Sequence, residues 1–148
     1  MNLLVMLCPN YRQDPGDWRI YDQEAEYLLR YNRLDEAKRF MERCYDFAPN
    51  VGYKAMLLRG KLLMFLGRSD DGCALFGNQL PLYPDSPYLH NNIAICNLLQ
   101  GDAKLARKHL EIAISKLWFE HPQAIPNLNL NHLNNWNGKT KFRGQLMW

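Results

Sequence analysis

Apolar positions along this chain recur at three- and four-residue steps, interrupted by short polar turns that return at a nearly constant interval. Three stretches share the punctuation: YLLRYNRLDEAKRFMERCYDFAPN, LLMFLGRSDDGCALFGNQLPLYPD and NLLQGDAKLARKHLEIAISKLWFEHP. Each joins one apolar helix to another through a turn at Asn32, Gly67 or Gly101. Pro49 and Pro84 are 35 positions apart, and Gly67 and Gly101 are 34 apart. A period of this size predicts a helix–turn–helix solenoid, in which no single repeat buries its own apolar face and neighbours must stack.

Asp17 caps a first helix over residues 17–31, with Trp18, Tyr21, Ala25, Leu28 and Leu29 on its apolar face. A second, over residues 35–47, carries Ala37, Phe40, Met41 and Cys44 and ends at Pro49. Asp35 and Glu36 lie in its first turn, at the positive end of the helix dipole. Asn50 caps a third helix that holds Tyr53, Met56, Leu57, Leu63, Met64 and Leu66 and stops at Gly67. Ser69 caps a fourth, through Ala74, Leu75 and Phe76. Gly72 and Gly77 weaken it by about 1 kcal/mol each, so packing must set its register. Ser86 as cap and Pro87 as first residue open a fifth helix that reaches Gln100, with Ile93, Ala94 and Asn97 inward. Asp102 starts a sixth, whose apolar face is Leu105, Ala106, Leu110, Ala113, Ile114 and Leu117. Ile125, Leu128, Leu133 and Trp136 read as a seventh helix covering the last repeat, with Pro122 and Pro126 competing for its start. The chain thus divides into an N-terminal segment (1–16) packing on the first repeat, a solenoid with its covering helix (17–137), and a basic, aromatic C-terminal tail (138–148).

Composition narrows the function. Hydrophobic residues at 47% and charged residues at 22% of the 148 exclude a disordered chain. A net charge of +3 is too small for a nucleic-acid footprint, and Lys139, Lys141 and Arg143 read as a solvated end. Cys8, Cys44, Cys73 and Cys96 show no paired spacing. The last three fall inside helices as small apolar residues, which reads as buried free thiols in a reducing compartment. No cluster of Cys and His has metal-ligand spacing. His90, His109, His121 and His132 are spread over separate elements and read as surface or cap residues, and no nucleophile motif or phosphate loop occurs. Residues 3–8 form an apolar run too short, and with no preceding base, for a secretory signal, and no stretch approaches a membrane span. The expectation is a cytoplasmic protein without catalytic residues, metal or cofactor; a periplasmic or membrane-associated location is the alternative.

Several of these positions resemble the tetratricopeptide repeat. The first repeat offers Trp18, Tyr21, Ala25, Leu28, Ala37, Met41, Cys44 and Pro49. The second offers Tyr53, Met56, Gly60, Leu63, Gly67, Phe76 and Pro84, and the third Pro87, Ala94, Gly101, Ala106, Leu110 and Ala113. The resemblance implies an all-α, right-handed solenoid of three helix pairs plus a C-terminal covering helix. It places Ala25, Gly60 and Ala94 where the helices of one pair cross, and Ala37 and Ala106 where the second helix meets the next repeat. A larger side chain there would overpack by roughly 1–3 kcal/mol. Gly72 where alanine is usual, Gln79 where a small residue is usual and Trp118 where proline is usual depart from the pattern.

In such proteins the first helix of each pair lines a concave groove. The positions carried over include Leu57, Leu58, Lys61, Met64 and Phe65 from the second repeat, and Asn91, Asn92, Ile95 and Leu98 from the third. An apolar stripe of this kind is covered either by the chain's own terminal segments or by a partner's peptide or helical segment. Asp22 and Glu26, with Leu58, stand where a carboxylate clamp would need Lys and Asn, which disfavours a heat-shock co-chaperone; Asn92 alone matches. The expected function is non-enzymatic protein–protein binding as an adaptor, scaffold or chaperone. In style the chain is similar to small bacterial repeat proteins of pilus assembly or secretion. The alternatives are a type III secretion translocator chaperone, or a homo-oligomeric structural protein that buries Trp136 and Trp148 against a second copy.

Overall fold

The computed structural model describes residues 27, 28, 30–40, 53–117 and 124–147. The described residues form six helices and no strand: α1 (Leu34–Phe40), α2 (Tyr53–Phe65), α3 (Ser69–Gln79), α4 (Pro87–Leu99), α5 (Ala103–Lys116) and α6 (Ile125–Asn135). The expectations for the 1–16 segment, the start of the first helix, Pro49, Asn50, Trp118, His121, Pro122 and Trp148 lie outside these residues. The chain divides into two compact units, Met1–Gly72 and Cys73–Trp148, and the boundary falls in the sequence of α3. No helix among the described residues is long and apolar enough to cross a membrane.

One turn is built three times. Asn32, Gly67 and Gly101 all adopt the left-handed conformation, with φ of 52°, 79° and 83°. In each case the next amide reaches back five residues to close the preceding helix: Arg33 to Leu28 (2.9 Å), Arg68 to Leu63 (2.8 Å) and Asp102 to Asn97 (2.8 Å). This is the six-to-one bond of the Schellman cap, which satisfies a carbonyl that a helix end would otherwise leave bare. Glycine adopts this conformation freely, and asparagine is among the side chains that tolerate it. The residue after each turn then launches the next helix, its carbonyl accepting from the amide of Ala37, Gly72 or Ala106. Arg33 pairs with Glu36, Arg68 with Asp71 at 2.9 Å, and the Asp102 carboxylate accepts from the Leu105 amide at 2.9 Å. Side chains at the same step along three successive turns therefore brace the helix start.

Within the first unit α2 and the first turn of α3, up to Gly72, approach closely. A Cβ on Gly72 would lie 2.9 Å from the Gly60 carbonyl oxygen and 2.8 Å from Met64 Cγ. This accounts for the glycine that replaces the expected alanine: the backbone of Gly60 occupies the space a methyl group would need. Ser69 is the first helical residue of α3 and not its cap.

The second unit is centred on α4, α5 and α6. Ser86 caps α4 through its hydroxyl, which accepts from the Leu89 amide at 3.1 Å, and Pro87 follows where its missing N–H costs nothing. Leu89 and Ala94 on α4, and Ala106, Leu110 and Ala113 on α5, are fully buried. Steps of four and three residues on α5 put its three on one stripe, against which α4 and α6 pack. Leu105, expected on that stripe, is exposed instead. α6 covers α5 and starts after Ala124 with Pro126 in its first turn.

Cys73 on α3 and Cys96 on α4 are joined by a disulfide, with 5.7 Å between their Cα atoms. This corrects the expectation of free thiols at these two positions. Apolar helical placement suited either state, and only the approach of α3 to α4 reveals the pairing. The argument for a reducing compartment falls with it.

Candidate functional site: an asparagine clamp on an extended segment

Of the nine groove residues expected from the sequence, five lie on α2 in the first unit and four on α4 in the second. On α2, Leu57 is fully buried, Lys61 is buried with its ammonium 5.6 Å from the Phe65 ring centroid, Met64 is half-buried and Phe65 is exposed. Leu58 also belongs to α2. On α4, Asn91, Asn92, Ile95 and Leu98 are all buried.

The tail lies against this part of α4. After α6, Asn137 forms a turn by accepting from the amides of Lys139 (2.9 Å) and Thr140 (3.1 Å), and Gly138 takes φ 73°. The Trp136 indole N–H donates to the Thr140 carbonyl at 2.8 Å, closing the turn from the other side. Residues 141–147 then run without helix or turn back across α4 and α6. Their exposure alternates: Lys141, Arg143 and Gln145 face solvent, whereas Phe142, Gly144 and Leu146 are half-buried, the period-two pattern of an extended chain.

Three buried amides hold this segment by its backbone. Asn129 on α6 accepts from the Gln145 amide (2.9 Å) and donates to the Gln145 carbonyl (2.8 Å). Asn91 donates to the same carbonyl at 2.9 Å. Two residues on, Asn92 accepts from the Met147 amide and donates to its carbonyl, both at 2.7 Å. Alternate residues of an extended strand present N–H and C=O on the same edge, so two carboxamides two residues apart replace a neighbouring strand. The amides also order one another. Asn129 donates to Asn91 Oδ1 (2.8 Å), and Asn91 donates to Asn92 Oδ1 (3.2 Å). Asn91 and Asn92 have no exposed surface, so bonds left unmade there would carry a desolvation penalty of about 1–3 kcal/mol each.

Side-chain contacts fix the register. The Phe142 ring sits 4.5 Å from the His132 ring and meets Trp136 edge-on at 5.6 Å. A Cβ on Gly144 would meet Ile95 Cδ1 and lie 2.7 Å from Phe142 Cε1, so the ends of these two side chains would have to shift to admit one. Beside the Phe142 ring a space of about 180 Å³ remains, lined by Ile95, Leu98, Leu99, Trp136, Thr140 and Lys141.

Sequence reading placed Asn91 and Asn92 in the groove but did not assign Asn129 a role. The available signal was a polar amide at the helical position where the covering helix should turn an apolar side chain inward. His90, expected as a surface or cap residue, is buried and stacks on His109. The His90 Nε2–H donates to the Pro84 carbonyl at 2.7 Å, and its Nδ1 lies within hydrogen-bond distance of His109 Nδ1, at 2.9 Å. Burial, and then the neighbouring His90 and Lys108, hold His109 below its ordinary value of 6.5. The unfolded chain therefore takes up this proton first as pH falls. Stability is expected to be level above pH 6.5 and to decline below it until the folded-state pKa is passed. Melting temperatures measured from about pH 8 to about pH 5 should show this slope, and His109→Gln should flatten it. Asp85, lowered from 3.8 by its hydrogen bond and charge pairing with Lys116, acts only below that window.

Among the described residues no group of three or more His, Cys, Asp or Glu side chains could hold a metal ion. No family model, curated protein or solved structure matches the chain.

Proposed function

We propose that this protein is a non-enzymatic peptide-binding module, an adaptor or chaperone of tetratricopeptide-like architecture, that receives an extended segment of a partner protein in the groove of its last helices. The observation that carries the reading is the backbone clamp of Asn91, Asn92 and Asn129 on residues 145 and 147. Carboxamides that grip N–H and C=O groups take hold of an extended chain whatever its spacer side chains, which is how strand-like peptide recognition obtains its affinity. The thrice-repeated turn supports a repeat architecture of helix pairs, and α6 takes the place of the covering helix. The setting in pilus or secretion assembly rests on the sequence resemblance alone. The Cys73–Cys96 disulfide favours an oxidising compartment over the cytoplasm.

Selecting displayed short peptides on the full chain tests the reading. Selected peptides should lose about tenfold in affinity on Asn129→Ala, and a comparable amount when alternate peptide nitrogens are methylated, since each change removes backbone hydrogen bonds. A selection that returns no binder, or binders indifferent to both changes, would contradict it.

A further inference from the structure

On the peptide-binding reading, the ligand itself can be specified. We propose that the groove between α4 and α6 selects an extended peptide of the pattern aromatic–spacer–glycine–spacer–aliphatic, and that residues 142–146 are an intramolecular copy of that ligand which competes for the site.

Each element of the pattern has a separate physical origin. The aromatic position is set by the His132 and Trp136 rings around Phe142 and by the unfilled space beside it, which would admit a larger ring. Glycine is favoured by Ile95, whose Cδ1 a Cβ at position 144 would have to displace. The aliphatic position follows from the half-buried Leu146 on the same face. The spacers Arg143 and Gln145 face solvent, and the backbone is taken up by the asparagines. Spacer chemistry is therefore unrestricted.

The segment has the marks of a ligand more than of a core element. Phe142, Gly144, Leu146 and Met147 are only half-buried, whereas the amides that receive the segment are buried almost completely. Buried amides are a costly way to fasten a permanent tail, because apolar contacts would do so without desolvating polar groups. They suit a site that must accept a backbone. The bonded turn over residues 137–140 directs the tail back onto the groove, and a short tether of this kind gives a local concentration on the order of millimolar. An incoming peptide must displace it.

The test uses the full chain with its own segment unseated by Gly144→Val, titrated with a fluorescein-labelled peptide of the sequence of residues 138–148. The variant should bind this peptide at least about tenfold more tightly than the unaltered chain, which its own tail occupies. Val at the glycine of the peptide, or Ala at its phenylalanine, should each weaken binding by about tenfold or more. If peptides with and without the pattern bind the variant alike, the selectivity is wrong while the groove reading stands. If the variant binds none of them, both fall. Should Gly144→Val lose its cooperative melt, Phe142→Ala unseats the segment without a clash and carries the same expectations.

Discussion

Phe76→Ala should lower the unfolding free energy by about 3–5 kcal/mol, the largest effect of any single truncation among the described residues. Phe76 has no exposed surface and is the largest fully buried side chain among the described residues. Its loss removes the transfer free energy of a ring and leaves a cavity that the surrounding helices fill only in part. Because domains of this size are stable by only about 5–15 kcal/mol, the variant should lie close to the limit of folding. Urea unfolding read by helical circular dichroism should give a much lower midpoint at an unchanged slope. A shift worth under about 1 kcal/mol would mean that α3 is not anchored as described.

The second large effect concerns the link from α3 to α4. Opening the Cys73–Cys96 bond, by reduction or by Cys73→Ser with Cys96→Ser, should cost about 3 kcal/mol. Closing a loop with a sequence separation of 23 restricts the unfolded chain by that order. The melting temperature should fall by roughly 6–12 °C, and the helical signal below the transition should be retained. An oxidised protein that melts at the same temperature with and without reductant would show that the bond contributes nothing to holding α3 against α4.

These effects separate what could be read in the sequence from what could not. The turns were legible because Asn32, Gly67 and Gly101 are among the few residue types that enter the left-handed region, and because a period of about 34 gave each the support of the others. The start of α4 was legible from Ser86 and Pro87, which act through local bonds. Properties that depend on two distant elements were not. Cys73 and Cys96 look like ordinary small apolar helix residues until the helices that carry them meet. His90 becomes buried through the Pro84 carbonyl and a second histidine on the next helix. Gly72 reads as a defect until the Gly60 backbone is seen against it.

The candidate site divides in the same way. The groove positions Asn91, Asn92, Ile95 and Leu98 follow from repeat register, and the structure brings all four beneath one segment. The tail's occupancy is a long-range fact: Asn92 lies 55 positions from the residue it grips. Nothing in the local sequence at residues 145–147 announces a strand edge, because its hydrogen-bonding partners are side chains from two helices. Lys139, Lys141 and Arg143 remain exposed as expected of a solvated segment.

The measurement that tests the account most directly is amide hydrogen exchange at Gln145 and Met147 in the full chain. Both amides donate to buried carboxamides, at 2.9 and 2.7 Å, so both should exchange well below the rate of an unstructured peptide. Asn129→Ala should release Gln145, and Asn92→Ala should release Met147. Exchange of both amides at unstructured rates in the unaltered chain would mean that the asparagines hold no backbone, and the peptide-binding account would fall with the clamp.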